Sequence, residues 1–374
     1  MITRRTFLRR GLGAAAALSH LSILGRAFPI LAAEAPMPRM PRTSPVIDTL
    51  TPDGFDFDPK AALAGGLTAA VVDIRIFPRN FPNALEKLKE WDAVFKRPGS
   101  LFFKVLKAAD LAEVRRQGKF GVILACQDAA ILDASTFSVN DRNLENLRQF
   151  HGLGLRVLQL THNERNAVGD SFREKTDAGL SLLGEAVVKE MNALGLLVDL
   201  SHCSDQTTLQ AIRLSTKPCA VTHAGCRALY PSLRNKPDEV IRALAEKGGY
   251  FGIYNMSVWL TSKDTSTAAD VLDHLDHVVK IGGTDLAGFG SDGQVLGDPT
   301  PQEEKVKGLQ GYIRRNQGLP GGEPVHGHVS VAELETPRRM EILAAGLAKR
   351  GYKEEAIAKF LGGNFARVFG GVGG

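Results

Sequence analysis

Two histidines follow short apolar runs that are typical of buried strands. His202 lies in "VDLSHCSD" and His223 lies in "CAVTHAGC". A helix start follows the first of them at once, because Ser204 or Asp205 can cap a helix N-terminus. A neutral imidazole nitrogen binds Zn²⁺ at about 2.0–2.1 Å. Two such side chains at the ends of neighbouring strands could therefore share one metal ion.

Other polar residues occupy equivalent positions after further strand-like runs. They are Gln127, His162, Asn163, Asn255 and Asp292. Asp292 could bind the metal, or it could be the base that takes a proton from bound water. Gln127 is a poorer candidate ligand because its amide is neutral. A single histidine is more often a hydrogen-bonded structural residue, but the set of His162, His202, His223 and Asp292 favours a metal site.

A third group of residues could bind the substrate. Arg234, in "SLRNKPDE", could hold a carboxylate through two hydrogen bonds, or it could form a surface ion pair with Asp238. Asn163 and Asn255 are further candidates for substrate contacts. The polar segment "LTHNERNAVGDSFREKTDAGLS" favours an active-site loop over an ordinary solvated loop, because it directly follows an apolar run.

The elements that must position these residues are short apolar runs alternating with helix-like segments. The eight runs are 46–50, 69–75, 121–127, 156–161, 196–201, 219–222, 250–254 and 286–290. Runs that are apolar on both faces are typical of a parallel sheet covered by helices. They predict an α/β fold, a single-domain (β/α)8 TIM-type barrel, with C-terminal helices near 336–350 and 354–369. An open doubly wound sheet is the alternative.

The N-terminus predicts export. Arg4 and Arg5, followed by "TFL" and an apolar stretch rich in Gly and Ala, indicate a twin-arginine signal over residues 1–33. A Pro-rich linker (34–45) and the barrel (46–374) follow. We therefore expect export by the twin-arginine machinery to the periplasm, with no membrane span in the mature chain. An uncleaved membrane anchor is the alternative.

Composition limits the other functional classes. The chain has 46 basic and 41 acidic residues, and its signal contains five of the arginines and no acid, so the mature chain is formally neutral. That balance gives no support for nucleic-acid binding. The four cysteines form no CxxC pair. Cys219 and Cys226 could form a disulfide in an oxidising compartment, but buried thiols are favoured in so large a chain.

Several blocks of the sequence resemble the membrane (renal) dipeptidase family of zinc peptidases. They are "GLRVLQLTHNERNAVGDS", "LGEAVVKEMNALGLLVDLSHCSD", "VTHAGCRALYPSLRNKPDEV", "GFGSDG" and "FLGGNFARVF". The resemblance implies a (β/α)8 barrel that cleaves dipeptides with a free C-terminal carboxylate, using two zinc ions. It implies that His202 and His223 bind the second zinc and that His162 contacts the substrate and the tetrahedral intermediate. It also implies that Arg234 binds the carboxylate and that Asp292 transfers protons.

The chain departs from the family pattern at the first zinc. In "VIDTLTPDG", Leu50 and Pro52 stand where the family has a histidine and an aspartate, and Gln127 replaces a bridging glutamate. Three nearby acids could compensate: Asp48, Asp53 and Asp128. We expect one divalent metal, zinc, and not a binuclear site. The sequence predicts a metal-dependent hydrolase of dipeptides or related small amides. The alternative is a periplasmic protein that binds or matures a small peptide-like ligand without hydrolysis. A homodimer is possible in either case.

Overall fold

The computed structural model describes residues 44–133, 141–315 and 327–373, and these residues belong to one compact unit. The predicted export signal and nearly all of the linker lie outside them. Within the described residues no helix is both long enough and apolar enough to cross a membrane. The four cysteines are buried and form no disulfide, which confirms the expectation of buried thiols.

The strands form a parallel sheet in which strands that are consecutive in the sequence lie side by side. One short strand is the exception. The strands of the described residues are β1 (Ile47–Thr51), β2 (Ala69–Asp73), β3 (Phe102–Lys104), β4 (Phe120–Cys126), β5 (Leu155–Gln159), β6 (Leu197–Asp199), β7 (Ala220–Ala224), β8 (Tyr250–Ile253) and β9 (Ala287–Phe289). Their order is β1-β2-β4-β5-β6-β7-β8-β9, and β3 pairs with the first part of β4. Eight of these strands match the predicted runs. The short β3 was missed because its three residues are only half-buried.

The last strand returns to the first. The Thr49 hydroxyl donates to the carbonyl of Thr222 at 2.8 Å and lies 3.0 Å from the carbonyl oxygen of Phe289. Just beyond β9, the Asp292 N–H donates to the Leu50 carbonyl oxygen at 3.1 Å. The barrel is therefore nearly closed, and the open-sheet alternative was wrong.

Helices cover the outside of the barrel. They are α1 (Pro59–Ala64), α2 (Phe81–Lys96), α3 (Asp110–Gln117), α4 (Asp141–Leu153), α5 (Leu182–Leu194), α6 (Asp205–Leu214), α7 (Asp238–Glu246), α8 (Ala268–Gly282), α9 (Gln302–Arg315), α10 (Arg339–Lys349), α11 (Glu354–Ala358) and α12 (Asn364–Gly373). In α5, the Ser181 side chain caps the N-terminus, and Gly195 at φ +73° ends the helix. The Ser204 hydroxyl likewise accepts from Thr207 N–H at the start of α6, directly after His202.

The barrel interior changes from apolar to polar along the strands. The apolar layer belongs to one cluster with α12 and includes Val71, Ala125, Val157, Leu197 and Ala220. Residues two positions further on point to the same face of a strand. In these five strands they are Asp73, Gln127, Gln159, Asp199 and Thr222, all of them buried. The carboxyl ends of the strands therefore carry a buried polar layer, on which the candidate site is built.

Candidate active site

Three predicted side chains converge at the carboxyl ends of the strands. His202 follows β6, His223 lies in β7 and Asp292 follows β9. Their candidate ligand atoms all lie within 4.8 Å of one another. The Nε2 atoms of the two histidines are 2.9 Å apart. Both imidazoles are buried, and Asp292 is half-buried at the mouth of the barrel.

Hydrogen bonds at the far side of each ring indicate where its proton lies. His202 Nδ1 is 3.0 Å from Asn163 Oδ1, and His223 Nδ1 is 2.8 Å from Thr222 Oγ1. The amide oxygen can only accept a hydrogen bond. The Thr222 hydroxyl donates to Asp199 Oδ2 at 2.7 Å and is therefore an acceptor towards the ring. Both imidazoles thus have Nδ1–H, and their Nε2 lone pairs face each other.

Two lone pairs at this separation repel each other unless a cation lies between or beside them. The burial of both rings lowers the pKa of His202 and of His223 well below 6.5, which keeps them neutral. Metal binding requires neutral imidazole, and ligating histidines usually donate their other N–H to a fixed acceptor. The donor set of two imidazoles and the Asp292 carboxylate therefore fits a divalent metal such as zinc.

Asp199 is the buried carboxylate that fixes this arrangement, and the sequence reasoning missed it. It accepts hydrogen bonds from the backbone N–H and hydroxyl of Ser201 at 3.0 and 2.5 Å. It also accepts from the backbone N–H and hydroxyl of Thr222. Burial raises the pKa of Asp199, while these four bonds favour its charged form. An acid within the apolar run "LLVDLSH" was the signal that could have identified it.

The surroundings of Asp292 disfavour its charged form. Burial raises its pKa to about 7, although the positive charge of Arg234 opposes that shift. Its backbone has φ +53°, a left-handed conformation that aspartate tolerates better than most residues. The N–H bond to the carbonyl of Leu50 holds this turn against β1.

Arg234 lies inside the site and not on the surface. Its guanidinium donates to the carbonyl oxygens of Ser201 and His223 at 2.8 and 3.1 Å. Its Nη2 is also 3.0 Å from His202 Nε2. Three aromatic rings lie within 5.2–5.8 Å of it, those of Phe172, Tyr254 and Trp259. The alternative of a surface pair with Asp238 was wrong.

His162 and Asn163 lie beside His202. The His162 ring stacks on that of His202, with centroids 4.3 Å apart and planes at 20°. His162 is half-buried, and Arg79 Nη1 lies 3.3 Å from its Nδ1. Asn163 orients His202 through its side-chain oxygen. Its predicted contact with a substrate stays a prediction.

Gln127 and Asn255, which the sequence analysis proposed as site residues, form hydrogen bonds with residues other than His202, His223 and Asp292. The backbone N–H and side-chain amide of Gln127 donate to the Asp73 carboxylate at 3.2 and 3.4 Å. The backbone N–H of Asn255 donates to Ser291 O, and its side-chain oxygen accepts from Val331 N–H at 3.2 Å. These bonds support the polar layer and the loop after β8. The roles of Gln127 as a metal ligand and of Asn255 as a substrate contact stay predictions.

The three acids that could compensate for the missing first-zinc ligands each have a partner in the barrel. Leu50 is fully buried and apolar. Asp48 forms a buried ion pair with Arg339 at 3.1 Å. Asp53 accepts from Val295 N–H at 2.7 Å, and Asp128 accepts from the N–H of Ala130 and the amide of Asn166.

Two further charged residues at this side of the mouth were missed. Asp73 ends β2, in an apolar run followed by an acid, which is the same signal that identified the other strand-end residues. Arg79 comes from the following loop and reaches His162. Its position in the sequence gave no signal, because its contact joins residues 83 positions apart.

A β/α barrel with two histidines and an aspartate converging at its carboxyl mouth defines the class of barrel metalloenzymes. The model of the membrane dipeptidase family (peptidase family M19) matches residues 60–310. The chain belongs to this family. The crystal structure of dipeptidase AC, described as a metallopeptidase of family M19, is 20% identical with a TM-score of 0.68, covering 89% of this chain and 100% of that one.

Individual relatives agree with this assignment. The dipeptidase tcpJ of Claviceps purpurea is 32% identical over 266 residues, which are 70% of this chain and 53% of that protein. An uncharacterized dipeptidase of Schizosaccharomyces pombe, C965.12, is 30% identical over 263 residues, 66% of this chain and 60% of that protein. The chain therefore spans a little over half the length of these curated relatives. The crystal structure of an amidohydrolase from Pseudomonas aeruginosa is 26% identical with a TM-score of 0.75, covering 88% of this chain and 96% of that one.

Proposed function

We propose that the protein is a metal-dependent hydrolase that cleaves dipeptides or related small amides. It holds one divalent metal, zinc, through His202, His223 and Asp292. The observation that carries this proposal is the convergence of two imidazole nitrogens and one carboxylate within 4.8 Å. Membership of the dipeptidase family supports the reaction class. The side chains of Asp48, Asp53 and Asp128 already have hydrogen-bond or ion-pair partners, and this supports one bound metal over two.

The chemistry follows from the residues at the mouth. When bound, the metal supplies Lewis-acid polarisation and lowers the pKa of an attacking water. Asp292 would accept the proton of the attacking water and pass it to the leaving amine, which is the role of a general base and acid. His162 donates from Nε2 to the developing oxyanion, because this atom has no hydrogen-bond partner among the described residues.

Arg234 binds the substrate carboxylate in this proposal. Its Nη groups already hold backbone carbonyls and His202. Its buried Nε–H, however, has no partner within the described part of the chain. A buried donor without a partner is costly, so an incoming carboxylate oxygen gains by accepting from it.

A second candidate is a protein that binds a small peptide-like ligand without hydrolysing it. The observation that favours it is the contact between Arg234 Nη2 and His202 Nε2. In that contact the Arg234 guanidinium donates a hydrogen bond to the Nε2 lone pair of His202. The pocket therefore contains a positive charge beside the two histidines even when no metal is bound. Leu50 and Pro52, which cannot bind metal, point in the same direction.

Metal content and turnover separate the two candidates. Purified protein should contain about one zinc per chain by elemental analysis, and it should hydrolyse dipeptides with a free carboxylate. The His223→Ala variant should lose both properties, whereas His151→Ala, on the outer helix α4, should keep them. Absence of turnover after addition of Zn²⁺, Mn²⁺ or Co²⁺, together with calorimetric binding of dipeptides, would favour the second candidate. Absence of both binding and turnover would reject both.

We also propose that the protein is exported to the periplasm by the twin-arginine machinery. The support is the Arg4–Arg5 pair with the apolar stretch that follows it. In cell fractionation, replacing both arginines by lysine should leave the unprocessed protein in the cytoplasm. Processing and export of that variant at the normal level would contradict the proposal.

A further inference from the structure

Arg79 contributes a charged contact to the site that neither the family resemblance nor the strand-end pattern assigns. It lies in the loop between β2 and α2, and its side chain is half-buried. Its Nη1 lies 3.3 Å from Nδ1 of His162. The imidazole ring of His162 also stacks on the ring of His202, and the two planes are only 20° apart. The His162 imidazole is therefore held both by its stacking and by a fixed partner at one nitrogen.

Arg79 is in turn supported by the polar layer of the barrel. The carboxylate of Asp73, at the end of β2, attracts its guanidinium. The same carboxylate accepts from the backbone N–H and amide of Gln127. Gln127 thus helps to hold the carboxylate that attracts Arg79, and Arg79 contacts His162.

The chemistry of the guanidinium determines which nitrogen of His162 has the proton. All guanidinium nitrogens are donors, and arginine does not lose its proton in proteins. Nδ1 of His162 must therefore accept the hydrogen bond. A neutral imidazole has a single N–H, which then lies on Nε2. Nε2 has no partner among the described residues, so its N–H remains available at the half-exposed mouth.

We propose that Arg79 is a positioning residue that fixes His162 as the Nε2–H tautomer, so that His162 enters the reaction as a hydrogen-bond donor to the developing oxyanion. The tautomer is a property of the resting protein. Its role in stabilising the oxyanion rests on the proposed hydrolase function. The guanidinium also places a permanent positive charge beside this donor.

The tautomer can be measured without turnover. Nitrogen NMR of the full-length protein labelled at histidine distinguishes a protonated from an unprotonated ring nitrogen, and the His162→Gln variant assigns the signal. The wild-type protein and Arg79→Lys should have an unprotonated, hydrogen-bonded Nδ1. Arg79→Glu places an acceptor at the same point and should move the proton to Nδ1. In Arg79→Met, Nδ1 should have the nitrogen chemical shift of an unprotonated nitrogen that accepts no hydrogen bond. A wild-type spectrum with the proton on Nδ1 would overturn the proposal.

Kinetics test the consequence for the reaction. Losing an oxyanion donor costs about 10²–10³ in kcat, so Arg79→Glu should approach the activity of His162→Ala while KM changes little. Arg79→Lys should retain most of kcat. The exposed Arg97, at the end of α2, gives a matched control in Arg97→Met, which should change neither readout. An unchanged kcat in Arg79→Glu, once NMR shows that the tautomer has switched, would refute the role. A wild-type protein that hydrolyses nothing would refute the role and the proposed function together, while the tautomer would still be decided by NMR.

Discussion

Thr222 offers a sharp test of the metal site, because one hydroxyl connects Asp199 to a candidate ligand. The hydroxyl donates to Asp199 Oδ2 at 2.7 Å and accepts from His223 Nδ1 at 2.8 Å. Thr222→Val removes it with almost no change in shape. Asp199 keeps three hydrogen bonds in the variant, two from Ser201 and one from the backbone N–H of residue 222. The His223 ring loses the acceptor of its Nδ1–H, while Asp199 loses one bond of four and Ser201 loses its 3.1 Å contact with the hydroxyl.

The expected loss follows from the buried Nδ1–H. A buried donor left without an acceptor costs about 1–3 kcal/mol. The His223 ring can avoid that cost by moving its proton to Nε2, where it points at His202 Nε2, 2.9 Å away, and blocks the lone pair that binds metal. Removal of such an orienting partner typically weakens metal binding by about 10–100-fold. We expect the zinc dissociation constant to rise by that factor, which corresponds to about 1.4–2.7 kcal/mol.

The assay is a competition titration of metal-free protein with a chromophoric chelator, accompanied by a thermal melt that verifies the fold. Thr51→Val is a matched control, because Thr51 is equally buried and its hydroxyl bonds to Val71 O at 3.5 Å and to the Asp53 side chain, not to a histidine of the described residues. It should leave zinc affinity unchanged. If Thr222→Val retains the fold and binds zinc as tightly as the wild-type protein, the argument from fixed tautomers is wrong.

Two further predictions concern stability. Burial lowers the pKa of Lys236, which donates to the carbonyl oxygen of Cys203, to about 8. Between pH 8 and about 10.4 the unfolded chain binds this proton and the folded chain does not, so the free energy of unfolding rises with pH by up to about 3 kcal/mol. Denaturant titrations should show that Lys236→Met loses this increase, and an identical pH dependence in both proteins would contradict it. An added Cβ at Gly252 would lie 2.1 Å from the carbonyl oxygen of Thr222, so Gly252→Ala should destabilise the barrel by about 1–3 kcal/mol or more. Gly152→Ala, where the added Cβ meets nothing within 4 Å, should not lower the melting temperature, and equal melting temperatures of the two variants would refute the packing argument.

Local patterns made much of the fold predictable. Apolar runs such as "AAVVD" and "FGVILAC" could only be buried strands, and their alternation with capped helices favours a barrel. The strand β3 was missed because its signal is weak, with three residues that are half-buried against β4. The choice between closed barrel and open sheet depended on Thr49, whose contacts with Thr222 and Phe289 join residues more than 170 positions apart. No local pattern contains that information.

Some features of the candidate site could likewise be predicted from the sequence, and others required the structure. The sequence by itself determined that His202, His223 and Asp292 stand at strand ends, because residue type and position after an apolar run are local properties. Only the tertiary structure decided that Asp199 orients one imidazole, that Arg234 is buried and that Arg79 reaches His162. The physical reason is that hydrogen bonds and Coulomb interactions depend on distances of a few ångströms between atoms, and the chain brings those atoms together only when distant strands close into a barrel.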